Sequence, residues 1–332
     1  MKKAAASPEN RGRAACRFVP GGLLAGLLST ALLFPAALLP AALAAPPPGA
    51  TIKAIGVENE YADVISQIGG QYVRVTAIET DPNTDPHTFE VSPKVAAAFA
   101  GANLVVENGL GYDPWADKIL SAAPNPARRL INVQHLLGRP DSTPNPHLWY
   151  DPATMPAVAK ALAADLSALD PAHAAYFRAN LVRFDASLAP WTAAIAAFKA
   201  RYGGTPVAVT EPVADYMIQA VGCKIATPFS LQAAIMNGTD PAPQDVSLQN
   251  ALFTGHEVKV FLYNQQVTDS LTQSFLALAK KNGIPVVGVY ETMPTPGYSY
   301  QSWMVAEVAA LQRAVTTKAS TETLLPAPTG TQ

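Results

Sequence analysis

PAHAAYFRANLVRFDASLAPWTAAIAAFKAR, Pro171 to Arg201, contains no glycine and, after its first residue, a single proline, Pro190. Asp170 in front of it is a helix N-cap residue type, and Pro171 suits the first helical position. Roughly 30 residues at a rise of 1.5 Å would make a helix of about 45 Å. Pro190 lacks an N–H and its ring crowds the preceding turn, so a kink is expected there. Such a helix could pack along one lobe or join two. The chain on either side favours the second arrangement, because a strand-helix alternation precedes the run and another begins directly after it.

Upstream, Thr51 to Val57 (TIKAIGV) reads as a strand, and Glu60 to Ile68 as a helix stopped by Gly69-Gly70. Tyr72 to Ile78 is a second strand, Ser92 to Ala100 a helix with a Ser-Pro start, and Asn103 to Glu107 a third strand. Pro114 to Ala122, Arg129 to Val133 and Ala153 to Leu169 continue as helix, strand and helix. Downstream, Pro206 to Thr210, Val258 to Tyr263 and Ile284 to Tyr290 read as strands. Helices are expected at Val213 to Val221, in Asp240 to Asn250, at Ser270 to Lys281 and from Tyr298 to about Thr316. The expected fold is therefore α/β: two lobes of parallel-type sheet with flanking helices, joined by one long linking helix. The expected division is an N-terminal lobe over 45–170, a link over 171–202, a C-terminal lobe over 203–318 and a flexible tail over 319–332.

The first 44 residues read as an export signal. Lys2, Lys3, Arg11, Arg13 and Arg17 precede an apolar run from Leu23 to Leu43, and Ala42-Leu43-Ala44 has the small-x-small form of a cleavage site. The run is also long enough to approach a bilayer span, so a retained anchor is the alternative. Cys16 lies before the run, where it cannot serve as a lipid-anchor cysteine. After cleavage Cys223 alone remains, so no internal disulfide can form. Its apolar setting reads as that of a small buried hydrophobe. The net charge of −2 argues against a nucleic-acid partner, which would need a basic face.

Two short turns echo each other: Asp85-Pro86-His87, with Phe89 following, and Asn145-Pro146-His147, with Trp149 following. Proline fixes its own φ and pushes its predecessor to an extended conformation. Each imidazole is thus offered from a stiff turn, and little ordering entropy is left to lose on binding a metal. Glu211 and Glu291 each directly follow a buried apolar strand, where ligands of open α/β sheets bind. The four positions are 60, 64 and 80 residues apart. That is too wide for a local metal motif and suits loops converging on a cleft. Two imidazoles and two carboxylates would neutralise a divalent cation, and manganese, iron or zinc fits such N/O donors. Alternatively, Glu211 and Glu291 are N-caps of the helices that follow them. His135, His173 and His256 have no comparable setting and read as solvated or helix-surface residues.

Asp85-Pro86-His87, the stretch Asn145-Pro146-His147-Leu148-Trp149-Tyr150-Asp151-Pro152 and the uninterrupted helix after it resemble the periplasmic metal-binding proteins of zinc- and manganese-type ABC importers. The resemblance covers about Ile52 to Val315. It implies two α/β lobes, a rigid linking helix and one metal in the cleft, with the ligand roles falling on His87, His147, Glu211 and Glu291. Glu211 stands where zinc members have His, as in manganese-type members, and Glu291 where Asp is usual. The His-rich loop of zinc members is absent, since only His135 lies between the two turns. Carboxylate in place of imidazole favours manganese or ferrous iron, whereas intrinsic affinity rises toward zinc, so the cargo is open between them. The implied function is an extracytoplasmic, periplasmic solute-binding protein, a monomer that hands its metal to a membrane permease.

Two other readings are a metal-dependent hydrolase and an adhesin-like binding module. Catalytic zinc has three protein ligands, a water and a nearby base. No HExxH helix is present, and no spare His or acid stands beside the four residues in sequence. An enzyme is therefore not expected. Nothing resembles an adhesive repeat.

Overall fold

The computed structural model describes residues 51–294 and 296–324. The expected export segment, residues 1–44, and the part of the expected tail beyond residue 324 lie outside the described residues.

The described strands form two four-stranded sheets in which every pairing is parallel. The first contains β1 (Ile52–Glu58), β2 (Val73–Glu79), β3 (Leu104–Glu107) and β4 (Arg129–Asn132), in the order β2-β1-β3-β4. Its helices are α1 (Asn59–Gly69), α2 (Pro93–Ala100), α3 (Pro114–Ala122), α4 (Val133–Leu136) and α5 (Thr154–Leu169). β1 and β3 are buried almost throughout, as strands covered on both faces must be. Gly56 permits this at β1, because a Cβ there would run into the backbone of Ala62 in α1.

The linking helix is bent. A short turn over Pro171–His173 leads into α6 (Ala174–Ser187), and α7 (Ala189–Tyr202) follows after Leu188. The break lies just before Pro190, whose missing N–H interrupts the ladder. Asp170 does not cap the helix as expected. Its carboxylate takes the His173 Nδ1 instead, at 2.6 Å, and the chain opens with a 3-10 turn. The nearby ring is a better partner for the acid than the N–H groups of so tight a turn. α6 packs on α1 and α5, and α7 packs on the later helix Tyr300–Thr317. The bent helix therefore touches helices associated with both sheets.

The second sheet contains β5 (Pro206–Val209), β6 (Lys224–Ile225), β7 (Val260–Asn264) and β8 (Val286–Val289), in the order β6-β5-β7-β8. Its helices are α8 (Asp215–Ala220), α9 (Phe229–Met236), α10 (Pro243–Thr254), α11 (Ser270–Lys281) and α12 (Tyr300–Thr317). α4, β6 and α9 have no counterpart in the sequence reading. β6 is two residues long and exists because Lys224 N and Ala226 N reach the Thr205 and Val207 carbonyls of the neighbouring strand, a tertiary cause with no local signature.

One continuous buried apolar cluster includes Ile52, Ile65 and Leu104 around the first sheet, Phe177, Trp191 and Phe198 of the bent helix, and Val207, Leu262 and Val289 of the second sheet. Aromatics also tie the Leu148-Trp149-Tyr150 turn to the second half. Tyr300 Oη donates to the Trp149 carbonyl at 2.6 Å, and Tyr150 Oη to the Tyr290 carbonyl at 2.9 Å. Cys223 is buried, and burial pushes its thiol up to about 12, in keeping with an inert small hydrophobe.

Candidate metal centre

In each sheet the chain order reverses between neighbours, at β1/β3 and at β5/β7. Crevices at the carboxyl ends of strands beside such a reversal bind ligands in open α/β folds. His87 lies in the loop after β2, and Tyr112 follows β3. On the other side Glu211 follows β5, Asn264 is the last residue of β7 and Glu291 follows β8.

The two histidine turns are braced by the polar residues that open them. Asp85 accepts the backbone N–H of His87 at 2.8 Å. Asn145 Oδ1 accepts the backbone N–H of His147 at 3.0 Å and also meets its Nδ1 at 2.8 Å. Asn145 Nδ2 donates to the Pro212 carbonyl at 2.7 Å, which fixes which way the amide points. Its Oδ1 can only accept, so His147 Nδ1 carries the proton. The neutral ring then presents an unprotonated Nε2.

That Nε2 lies 3.2 Å from Glu291 Oε2, and His87 Nε2 lies 3.2 Å from the same oxygen. Ligand atoms of His87, His147 and Glu291 all fall within 4.8 Å of one another, the one such group of three among the described residues. Tyr112 Oη donates to Glu291 Oε2 at 3.0 Å, with its ring edge-on to both imidazoles. His147 and Glu291 are buried, whereas the His87 side chain retains 26% exposure. Burial opposes charge on Glu291, but its close contacts with the two imidazoles outweigh it and hold the carboxyl well below its usual range. Burial depresses His147. At His87 burial acts the same way, but the Glu291 carboxylate prevails and the pKa is raised. The neutral Nε2 of His147 and an ionised carboxylate thus face each other as two acceptors. A cation shared between them would satisfy both.

Glu211 is buried beside this group but outside it. Asn264 Nδ2 links the two acids, donating to Glu291 Oε1 at 2.7 Å and to Glu211 Oε1 at 3.3 Å. Glu211 Oε2 is buried with no hydrogen-bond partner. Burial and then the Glu291 charge push its carboxyl upward. Neither acid caps a helix: α8 begins at Asp215, and α12 is capped by Ser299. Carboxamides also span the cleft. Gln266 Oε1 accepts from Glu291 N and Thr292 N at 2.7 and 2.8 Å, while its Nε2 donates to the Thr84 carbonyl before the His87 turn at 2.8 Å. Asn59 exchanges hydrogen bonds with the Met293 backbone at 2.9 and 3.0 Å.

The remaining histidines stand apart from the centre. His135 and His256 are exposed, and His173 stacks on Tyr72 with ring centroids 3.7 Å apart. Tyr112, Asn264 and Gln266 have no counterpart in the sequence reading. Position at a strand end or in the loop after one was the available signal, and it is a weak one. Glu58 and Glu60, at the β1–α1 junction, are also fully buried, with unpartnered carboxylates that burial pushes upward. A cleft of about 350 Å³ borders His87 and is lined by Asp85, Thr88, Met236 and Val267. A larger one of about 570 Å³, between Pro190 and α12, includes none of the residues of the centre.

Residues 58–314 match the family model described as zinc-uptake complex component A, periplasmic (ZnuA). A putative metal-binding protein of Treponema pallidum (strain Nichols) is 24% identical over 166 residues, which are 43% of this chain and 52% of that protein. The chain spans about half the length, or less, of the curated relatives it matches. The fold is similar to that of the periplasmic zinc-binding protein TroA from Treponema pallidum, with TM-score 0.67 and 14% identity over 82% of this chain and all of the other. It is also similar to the SBP FpvC from Pseudomonas aeruginosa in complex with Mn2+, with TM-score 0.65 and 17% identity over 81% of this chain and all of the other.

Proposed function

We propose, because this chain belongs to the periplasmic zinc-uptake complex component A family, that it captures one divalent transition metal outside the cytoplasm and delivers it to the permease of an ABC importer. The observation that carries the reading is the convergence of two imidazole nitrogens on one buried carboxylate oxygen. His87, His147 and Glu291 form the ligand core, and Glu211 is the fourth candidate. In this reading residues 1–44 direct export to the periplasm, 45–170 and 203–318 are the lobes that enclose the metal, 171–202 join them and 319–332 form a tail. The protein works as a monomeric carrier and not as an enzyme. Nothing about the centre favours the hydrolase or adhesin readings.

The test is a competition titration of zinc against manganese on chelator-stripped protein from Ala45 onward, read by calorimetry. One tight site per chain is expected. Absence of stoichiometric binding of either metal would overturn the reading and direct attention to organic or chelated ligands in the same cleft. The cargo is addressed by Glu211→His. A softer imidazole in place of the acid should raise the zinc-to-manganese affinity ratio by about tenfold, as expected for a change of donor type. An unchanged ratio would place Glu211 outside the coordination sphere.

A further inference from the structure

We propose that Asn264 holds one oxygen of each acid, so that each coordinates through its other oxygen, and thereby biases the site toward metals of low coordination number. The inference rests on the metal-binding reading above.

The β7 strand runs between β5 and β8, so its last residue emerges between the two acids that follow those strands. Asn264 is fully buried there, and its amide has one orientation. The Oδ1 accepts from Gln266 N at 3.0 Å, while its own N–H is anchored on Thr210 Oγ1 at 3.0 Å. The two Nδ2 hydrogens therefore point toward the acids, one for Glu291 Oε1 and one for Glu211 Oε1. Asn264 leaves the second oxygen of each acid untouched. Glu291 Oε2 faces both imidazoles and accepts from the rotatable Tyr112 hydroxyl at 3.0 Å, and Glu211 Oε2 is buried with no partner.

Two imidazoles and one oxygen from each carboxylate make a four-donor set, the number that zinc prefers. With both oxygens of each carboxylate released, six donors become available, which suits manganese. Carboxylate at position 211 pulls the site toward harder ions, and Asn264 opposes that pull by withholding oxygens. A single amide held in this way is a positioning residue. It touches the ligands and not the metal, and residues in that role typically change metal affinity by about 10–100-fold when altered.

The test has two parts. X-ray absorption at the zinc edge of zinc-loaded wild-type protein should report four nitrogen or oxygen donors with no bidentate carboxylate. A bidentate carboxylate in that sample would overturn the proposal without any variant. Competition titrations of wild type, Asn264→Ala and Asn264→Ser with zinc and manganese should show the zinc-to-manganese affinity ratio falling at least about tenfold in the alanine variant. The serine variant, which keeps one donor, should fall between. General loosening of the fold would weaken both metals together and leave the ratio unchanged, and an unchanged ratio would overturn the proposal. Failure of the underlying reading looks different, because wild-type protein would then bind neither metal stoichiometrically.

Discussion

His147→Ala is expected to abolish the metal response while the rest of the fold survives. Its ring is the one imidazole of the centre that is wholly buried, and Asn145 commits Nδ1, opposite the ligating Nε2, to a hydrogen bond. No other histidine stands near enough to replace it. Removing a ligand atom should exceed the ~10–100-fold loss typical of changes around a ligand. The readout is a thermal shift. Metal at about a thousand times its Kd would add about 4 kcal/mol to wild-type stability. For a domain of roughly 250 residues that is of order 10 °C in Tm. The variant should show no shift with zinc or manganese. The vacated space will itself destabilise the metal-free protein, by ~2–4 kcal/mol on the scale of other large-to-small core changes. His147→Gln, closer in size, separates that loss from the loss of binding. A metal shift of wild-type size in both variants would move the site elsewhere in the molecule.

Glu291→Gln should abolish binding and also lower the stability of the metal-free protein, because the folded state favours the ionised acid. Glu291 is a fully buried acid held ionised against its burial, and Oε2 receives every contact of the triad. The amide has the same shape without the charge, so the imidazoles lose the carboxylate whose contacts outweigh its desolvation cost. At the same time the anionic oxygen that would balance the cation is lost. Calorimetry with zinc and manganese, paired with denaturant unfolding of the chelator-treated protein, measures both effects. Retention of affinity within tenfold would exclude Glu291 as a ligand. Unchanged metal-free stability would mean that the contacts from Asn264, Tyr112 and the two histidines do not favour the ionised acid in the resting protein.

These expectations draw on the sequence and the tertiary structure unequally. Strands such as Val286–Val289 and helices such as Ser270–Lys281 were legible because their buried runs, stops and caps lie within a few residues of one another. The same holds for the two proline turns, where local geometry alone presents a histidine. The capping alternative for Glu211 and Glu291 could not be decided locally. It depended on where the next helices begin, and both begin further on, at Asp215 and Tyr300.

The sequence by itself determined two parallel α/β alternations, a bent helix between them and four candidate ligands after strands. All of these follow from backbone restriction and hydrophobic period, which act over a turn or two of chain. The tertiary structure decided which ligands meet. His147 and Glu291 are 144 residues apart, and Asn264 is 53 and 27 residues from the acids it links. Strand order alone brings Asn264 between those acids, because β7 pairs with both β5 and β8. The distinction between Glu291, inside the triad, and Glu211, beside it, likewise arises only there. Where a carboxylate oxygen points is set by partners on other strands, and no pattern along the chain encodes them.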